Sequence, residues 1–194
     1  MLNQTLALAR LTLADPRAAV SVVLRWRAPR PALIEAMFLV AILGVLVAIG
    51  PIVFLAGTEN TPTAVALFAN PLWLAVIQVA LLFLSVLAIF LIGRAFGGTG
   101  SFDAVFQVMV WLQLVIIGLQ VVELPIVLLF PNLEGLLAVA TAIFSLWLTV
   151  NFIAAVHGFS SLLKVFAGVI ASSFILGFAM ILVLAILGIP TQGA

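Results

Sequence analysis

The sequence predicts an all-α integral membrane protein, with five transmembrane helices preceded by a cytoplasmic amphipathic, interfacial helical arm. Three observations carry this. Hydrophobic residues make up 66% of the 194 and charged residues only 7%, with a mean hydropathy of +1.47, whereas about a quarter of residues are charged in an ordinary soluble chain. Five apolar runs follow a polar, arginine-bearing start, each near the roughly 20 residues that a helix needs to cross the hydrocarbon core. All seven cationic residues fall on one side of that pattern. Arg10, Arg17, Arg25, Arg27 and Arg30 precede the first run, Arg94 follows the second, and Lys164 lies between the fourth and the fifth. By the positive-inside rule the N-terminus is cytoplasmic and the C-terminus outside.

The same composition excludes several classes. A net charge of +1 gives no broad nucleic-acid-binding surface, and the local arginine cluster before the first span is the meaningful basic feature. The absence of Cys excludes disulfides and thiolate metal sites. A cleaved signal peptide fits poorly, because the first apolar run, 32–55, is longer than an ordinary signal core and follows a long polar stretch.

The chain divides into an arm over 1–31, a membrane domain over 32–189 and a short outside tail over 190–194. In the arm, Leu2, Leu6, Ala9 and Leu13 recur at helical spacing, and Asp15 followed by Pro16 forms an N-cap and first helical residue that restart a second helix. Trp26 sits among Arg25, Arg27 and Arg30; a Trp ring and basic side chains suit the headgroups of an anionic leaflet. Arg10, Arg17, Arg25, Trp26, Arg27 and Arg30 are therefore the candidate lipid-surface contacts. The arm reads as a broken interfacial helix on the cytoplasmic face; the other reading is an amphipathic arm folded against the bundle's own loops.

The spans are 32–55, 72–92, 105–129, 136–156 and 165–187, joined by connections too short for a soluble domain. Asn60, Pro62, Asn70 and Pro71 punctuate the first outside loop, and Pro131 and Asn132 make a tight turn before the fourth span. The loop FGGTGSF, 96–102, lets the chain reverse tightly, with Ser101 capping the next helix and Asp103 in its positive first turn. It lacks the Lys and Ser/Thr ending of a phosphate-binding P-loop. An offset of 60 positions aligns Gly98 with Gly158, Ser101 with Ser161 and Val105-Phe106 with Val165-Phe166, suggesting two similar hairpins in parallel orientation.

Polar residues inside the spans are the candidates for a ligand or transport site. Glu123 lies on the order of 10 Å inside the outer boundary, with Gln113 and Gln120 on much the same face of its helix and Gln78 and Thr141 at comparable depth on neighbouring spans. No second buried carboxylate and no membrane-centred cation completes a relay. A structural Glu that fixes helix packing is the favoured reading, with a proton or cation pathway as the alternative. His157, a lone imidazole at the end of the fourth span, is a poor metal site and is expected at the interface against its helix C-terminus. Glu35 is expected to pair with a nearby arginine. In the last span Gly168, Ser172, Ser173 and Gly177 form two small-xxx-small pairs that permit close helix contact, inside the bundle or with a partner.

Taken with the arm segment LTLADPRAAV, the FGGTGSF loop and NFIAAVHGFSSLLKV between the last two spans, the chain resembles the bacterial branch of the Yip (Ypt-interacting protein) domain family over nearly its whole length. The resemblance implies a polytopic membrane protein, with eukaryotic relatives associated with small GTPases and vesicle trafficking. The eukaryotic signatures, an Asp-Leu-x-Gly-Pro stretch before the first span and a Tyr-Gly pair, cannot be placed in a chain without Tyr, so GTPase binding is not carried over. The expectation is a non-enzymatic protein of a bacterial inner membrane, without cofactor or nucleic-acid partner. It would organise membrane or protein assemblies through anionic headgroups and a membrane-protein partner or a second copy. The alternative is a small transporter or channel centred on Glu123.

Overall fold

In hydrocarbon a backbone N–H or C=O without a partner costs several kcal/mol, and this chain meets that constraint with helices. The structure, a computed structural model, describes residues 2–56 and 71–186. Among these are α1 (Leu2–Ala14), α2 (Pro16–Arg25), α3 (Arg30–Ala56), α4 (Pro71–Ala95), α5 (Phe102–Leu129), α6 (Glu134–His157) and α7 (Leu162–Ile186), with a single 3₁₀ turn at Pro131–Leu133 before α6. No strand occurs among the described residues. Most of the predicted first outside loop, the end of the fifth span at Leu187 and the C-terminal tail lie outside them.

Four stretches are long and apolar enough to cross a membrane: Arg30–Ile49, Pro71–Ala95, Phe102–Leu129 and Pro131–His157. The described apolar stretch of α7, Leu162–Phe174, is shorter than a span. Helices α4 and α5 extend about a turn past their predicted spans at the basic end, because the helical ladder and its caps continue where hydropathy stops. Asp15 accepts from the Ala18 amide at 3.0 Å with Pro16 in the first turn, and Ser101 accepts from the Ala104 amide at 3.2 Å. Both predicted N-caps are present.

Helix α5 is central, packing against α3, α4, α6 and α2, while α7 packs chiefly on α6. The fully buried side chains concentrate at the basic end. Val105, Val108 and Leu112 recur along one face of α5 and meet Leu148 and Phe152 of α6, the three-and-four spacing of a helix–helix seam. Toward the other end large apolar side chains, among them Val122, Leu136 and Ile143, are exposed, as expected of surface that faces lipid.

The arm completes this core. Ala19, Val20 and Val23 of α2 are no more than 2% exposed, buried in the same cluster as Val105 and Phe152, and α2 packs on both α5 and α6. Helix α2 is thus folded against helices of the bundle, where the second of the two sequence readings put the arm against its loops. An amphipathic helix has the same periodicity whether its apolar face meets lipid or protein, so the pattern alone could not separate them.

Candidate functional site

Two polar side chains fasten the arm. Gln107, 7% exposed in the otherwise apolar run of α5, donates from Nε2 to the Val23 carbonyl at 2.5 Å and accepts from the Ala28 amide at 3.3 Å. It gives the Ala28 amide, beyond the end of α2, a partner and adds a second donor to the Val23 carbonyl, which also accepts from the Trp26 amide at 3.1 Å. One turn later Trp111 Nε1 donates to Thr12 Oγ1 at 3.0 Å, and that hydroxyl, wholly buried, donates to the Leu8 carbonyl at 2.9 Å. Neither residue was singled out in the sequence. Gln107 and Trp111 share a face at i, i+4 spacing, and an amide within an apolar run was the available signal.

The lipid-surface candidates lie on the opposite face. Arg10, Arg17, Arg25 and Arg27 are exposed, and Trp26, 54% exposed, meets Trp111 edge-on with centroids 5.5 Å apart. Arg27 takes a left-handed backbone, φ 44, where the chain leaves α2 to enter α3. Arg30 pairs with Asp103 at 2.8 Å, which ties the starts of α3 and α5. The sequence pattern expected Glu35 to pair with an arginine; it is exposed and makes no ion pair among the described residues, because Asp103 takes Arg30.

The FGGTGSF loop does more than turn. Gly97 (φ 83) follows α4, with the Gly97 amide donating to the Arg94 carbonyl at 3.0 Å and the Gly98 amide to the Gly93 carbonyl at 2.8 Å. This is a Schellman cap. Gly158 (φ 75) closes α6 in the same way, with its own amide on Ala155 and the Phe159 amide on Ala154. The two loops therefore share a cap, Gly97 matching Gly158, and then differ by one residue before Ser101 and Ser161, each of which accepts from the amide three residues on. Val105 and Val165 are both buried, whereas Phe106 is buried and Phe166 is exposed. The internal similarity is local to the caps.

Between these caps lies His157, 2% exposed. Its Nδ1 lies 3.2 Å from the Ile153 carbonyl of its own helix, its ring stacks on Phe159 at 5.5 Å, and its Nε2 is buried without a hydrogen-bond partner. Three glycines form its cradle. A Cβ on Gly93 would lie 2.7 Å from His157 Cε1 and closer still to Cδ2 and Nε2; one on Gly98 would lie 2.5 Å from Cδ2 and 2.7 Å from the Gly93 carbonyl oxygen; one on Gly100 would lie 2.9 Å from the Val156 carbonyl oxygen. The Thr99 amide and hydroxyl both donate to the His157 carbonyl, at 3.1 and 3.3 Å. The imidazole meets its helix terminus as expected and is enclosed by protein. Among the described residues no group of three or more His, Cys, Asp or Glu is placed to hold a metal.

The intramembrane candidates are only partly gathered. Glu123 accepts a hydrogen bond from the Thr141 hydroxyl, which joins α5 to α6. Gln78 instead lies against Gly44 of α3, where a Cβ would come 3.3 Å from its Cδ, and Gln113 and Gln120 are partly buried without a hydrogen bond to Glu123. Replacing Glu123 with Gln is expected to preserve the Thr141 bond and the melting temperature. Glu123→Leu should cost about 1 kcal/mol, a typical interhelical hydrogen bond in a membrane, measured by thermal unfolding in detergent. Equal loss in both variants would show that the carboxylate charge, and not the bond, matters.

The small-residue candidates face open space. A Cβ on Gly168 or Gly177 would meet nothing within 4 Å, and Ser172 and Ser173 donate back to the Gly168 and Val169 carbonyls at 2.6 and 2.9 Å. The described chain makes no close helix contact at Gly168 or Gly177.

With this geometry in place, a family model for the Yip1 domain matches residues 10–184, a stretch that includes α2 as well as the membrane helices. No curated protein and no solved structure matches the chain.

Proposed function

The chain belongs to the Yip1 domain family, and from that premise we propose that it is a non-catalytic multi-pass protein that organises lipid and protein assemblies in a bacterial inner membrane. It crosses the membrane five times, with α7 as the fifth span, the arm cytoplasmic and the C-terminus outside. The observation that carries the reading is the division of the arm into two faces. Ala19, Val20 and Val23 are spent on the bundle, while Arg10, Arg17, Arg25 and Arg27 remain exposed beside Trp26. A rigidly held basic face at a membrane surface concentrates anionic headgroups and acidic partners.

Capture of the tagged full-length protein from native membranes in mild detergent tests this. A defined membrane partner, or a second copy, should be lost when Arg10, Arg17, Arg25 and Arg27 become Gln and kept in Glu123→Gln. Arm deletion is the wrong comparison, since it would strip the core of Val20 and Val23. Retention of every partner by the four-arginine variant would contradict the proposal.

The orientation has its own test. Because the chain lacks Cys, single Cys residues at Thr99 or Ser161 should react only with reagents that reach the cytoplasm, and those at Asn60 or Gln192 only with outside reagents. Labelling of Thr99→Cys from outside would invert the topology.

A further inference from the structure

We propose that the cavity between α4, α6 and α7 is a binding site for one anionic glycerophospholipid, with an acyl chain in the cavity and the headgroup phosphate at Lys164. The cavity has a volume of about 810 Å³ and is partly open to the exterior. Its walls are chiefly apolar, with Ile89 and Ile92 from α4, Met109 from α5, and Ile153 and Val165 across from them.

The hydroxyls in the walls do not make it a wet site. Thr149 donates to the Ser145 carbonyl at 2.7 Å, Ser172 to Gly168 at 2.6 Å and Ser173 to Val169 at 2.9 Å. Each is satisfied by its own helix and offers a buried water little of the two to four partners it needs. A hydrocarbon chain loses nothing against such walls.

Beyond these hydroxyls and Ser85 of α4, the polar lining is gathered at the basic end, in Ser160, Ser161 and Lys164. Lys164 is exposed; Arg94, also exposed, follows the lining residue Gly93 at the end of α4. No carboxylate pairs with either cation among the described residues, the one ion pair there being Arg30–Asp103. An apolar slot that ends at uncompensated positive charge is complementary to an amphiphile with a negative head.

Volume argues for a lipid chain over a partner helix. A helix about 10 Å wide fills roughly 420 Å³ per turn, so the cavity holds about two turns of one, whereas it lies within the usual range of small-ligand sites. The open space at Gly168, where a Cβ would meet nothing within 4 Å, is then room for the chain.

Native mass spectrometry of the full-length protein with phosphatidylglycerol and with phosphatidylethanolamine of identical acyl chains tests this. Wild type should retain one phosphatidylglycerol in preference to phosphatidylethanolamine, and Lys164→Gln should weaken phosphatidylglycerol binding about five-fold while leaving phosphatidylethanolamine unchanged. Gly168→Leu should fill the cavity and remove the bound molecule of either lipid; Ala167→Leu, also on the wall, serves if the first variant does not fold, with helicity and melting temperature as controls. Equal binding of the two lipids by wild type, indifference to Lys164→Gln, or undiminished binding in the folded cavity-filling variant would each overturn the site. A second protein chain in place of lipid would overturn it as well.

Discussion

Gly93→Ala should lower the stability of the purified protein by about 3 kcal/mol, the upper part of the range for overpacking a close-packed interior, and His157→Ala in the same chain should recover most of the loss. The added methyl would enter the His157 ring, which is 2% exposed and already bears on Phe159. With the ring gone the three atoms nearest that methyl are removed. Gly98→Ala is the control within the same cradle, since its Cβ would meet the Gly93 carbonyl oxygen at 2.7 Å as well as the imidazole, so removal of His157 should not rescue it. Thermal unfolding of the two single glycine variants, His157→Ala and both doubles gives the coupling directly. Additive effects of Gly93→Ala and His157→Ala would show that the cradle does not enclose the ring as described.

Gln107→Leu should be the next most damaging change, at about 1–3 kcal/mol. It leaves the Ala28 amide without its partner and takes from the Val23 carbonyl one of its donors, the Trp26 amide remaining at 3.1 Å, and an unpaired buried polar group costs about 1–3 kcal/mol. Gln107→Glu, similar in shape, should fail as well, because a carboxylate cannot donate to the Val23 carbonyl. The loss should be local before it is global. Amide hydrogen exchange should speed up throughout α2 while the amides of α5 stay protected at low temperature. Uniform exchange in α2 of wild type and Gln107→Leu would mean that the arm is held by its apolar contacts alone.

Much of the fold was legible because local chemistry dictated it. The four span-length helices follow from hydropathy, the starts of α2 and α5 from Asp15–Pro16 and Ser101, and the ends of α4 and α6 from glycines that supply positive φ at Gly97 and Gly158. What was not legible depends on contacts between distant residues. Gly93 and His157 stand on different helices, and no periodicity states that one is bare in order to admit the other. Gln107 reaches Val23 across 84 positions, and the same apolar stripe on α2 would have served a lipid surface equally well. The Glu123 cluster shows the reverse case. Depth and helical face grouped five residues, but depth fixes only height in the membrane, and the structure turns Gln78 toward Gly44 and leaves Thr141 as the hydrogen-bonded neighbour.

The proposed organising role rests on an arm whose apolar face is locked to the bundle and whose Arg10, Arg17, Arg25 and Arg27 are exposed. Its most direct test is the lateral distribution of the fluorescently labelled full-length protein in reconstituted vesicles containing phosphatidylglycerol, imaged at low and high salt with proton flux recorded in the same vesicles. The account predicts salt-sensitive assemblies enriched in phosphatidylglycerol, lost in the Arg10, Arg17, Arg25 and Arg27 to Gln variant and retained in Glu123→Gln, with no flux that depends on Glu123. A uniform distribution of wild type at low salt, or a proton flux that Glu123→Gln abolishes, would contradict it.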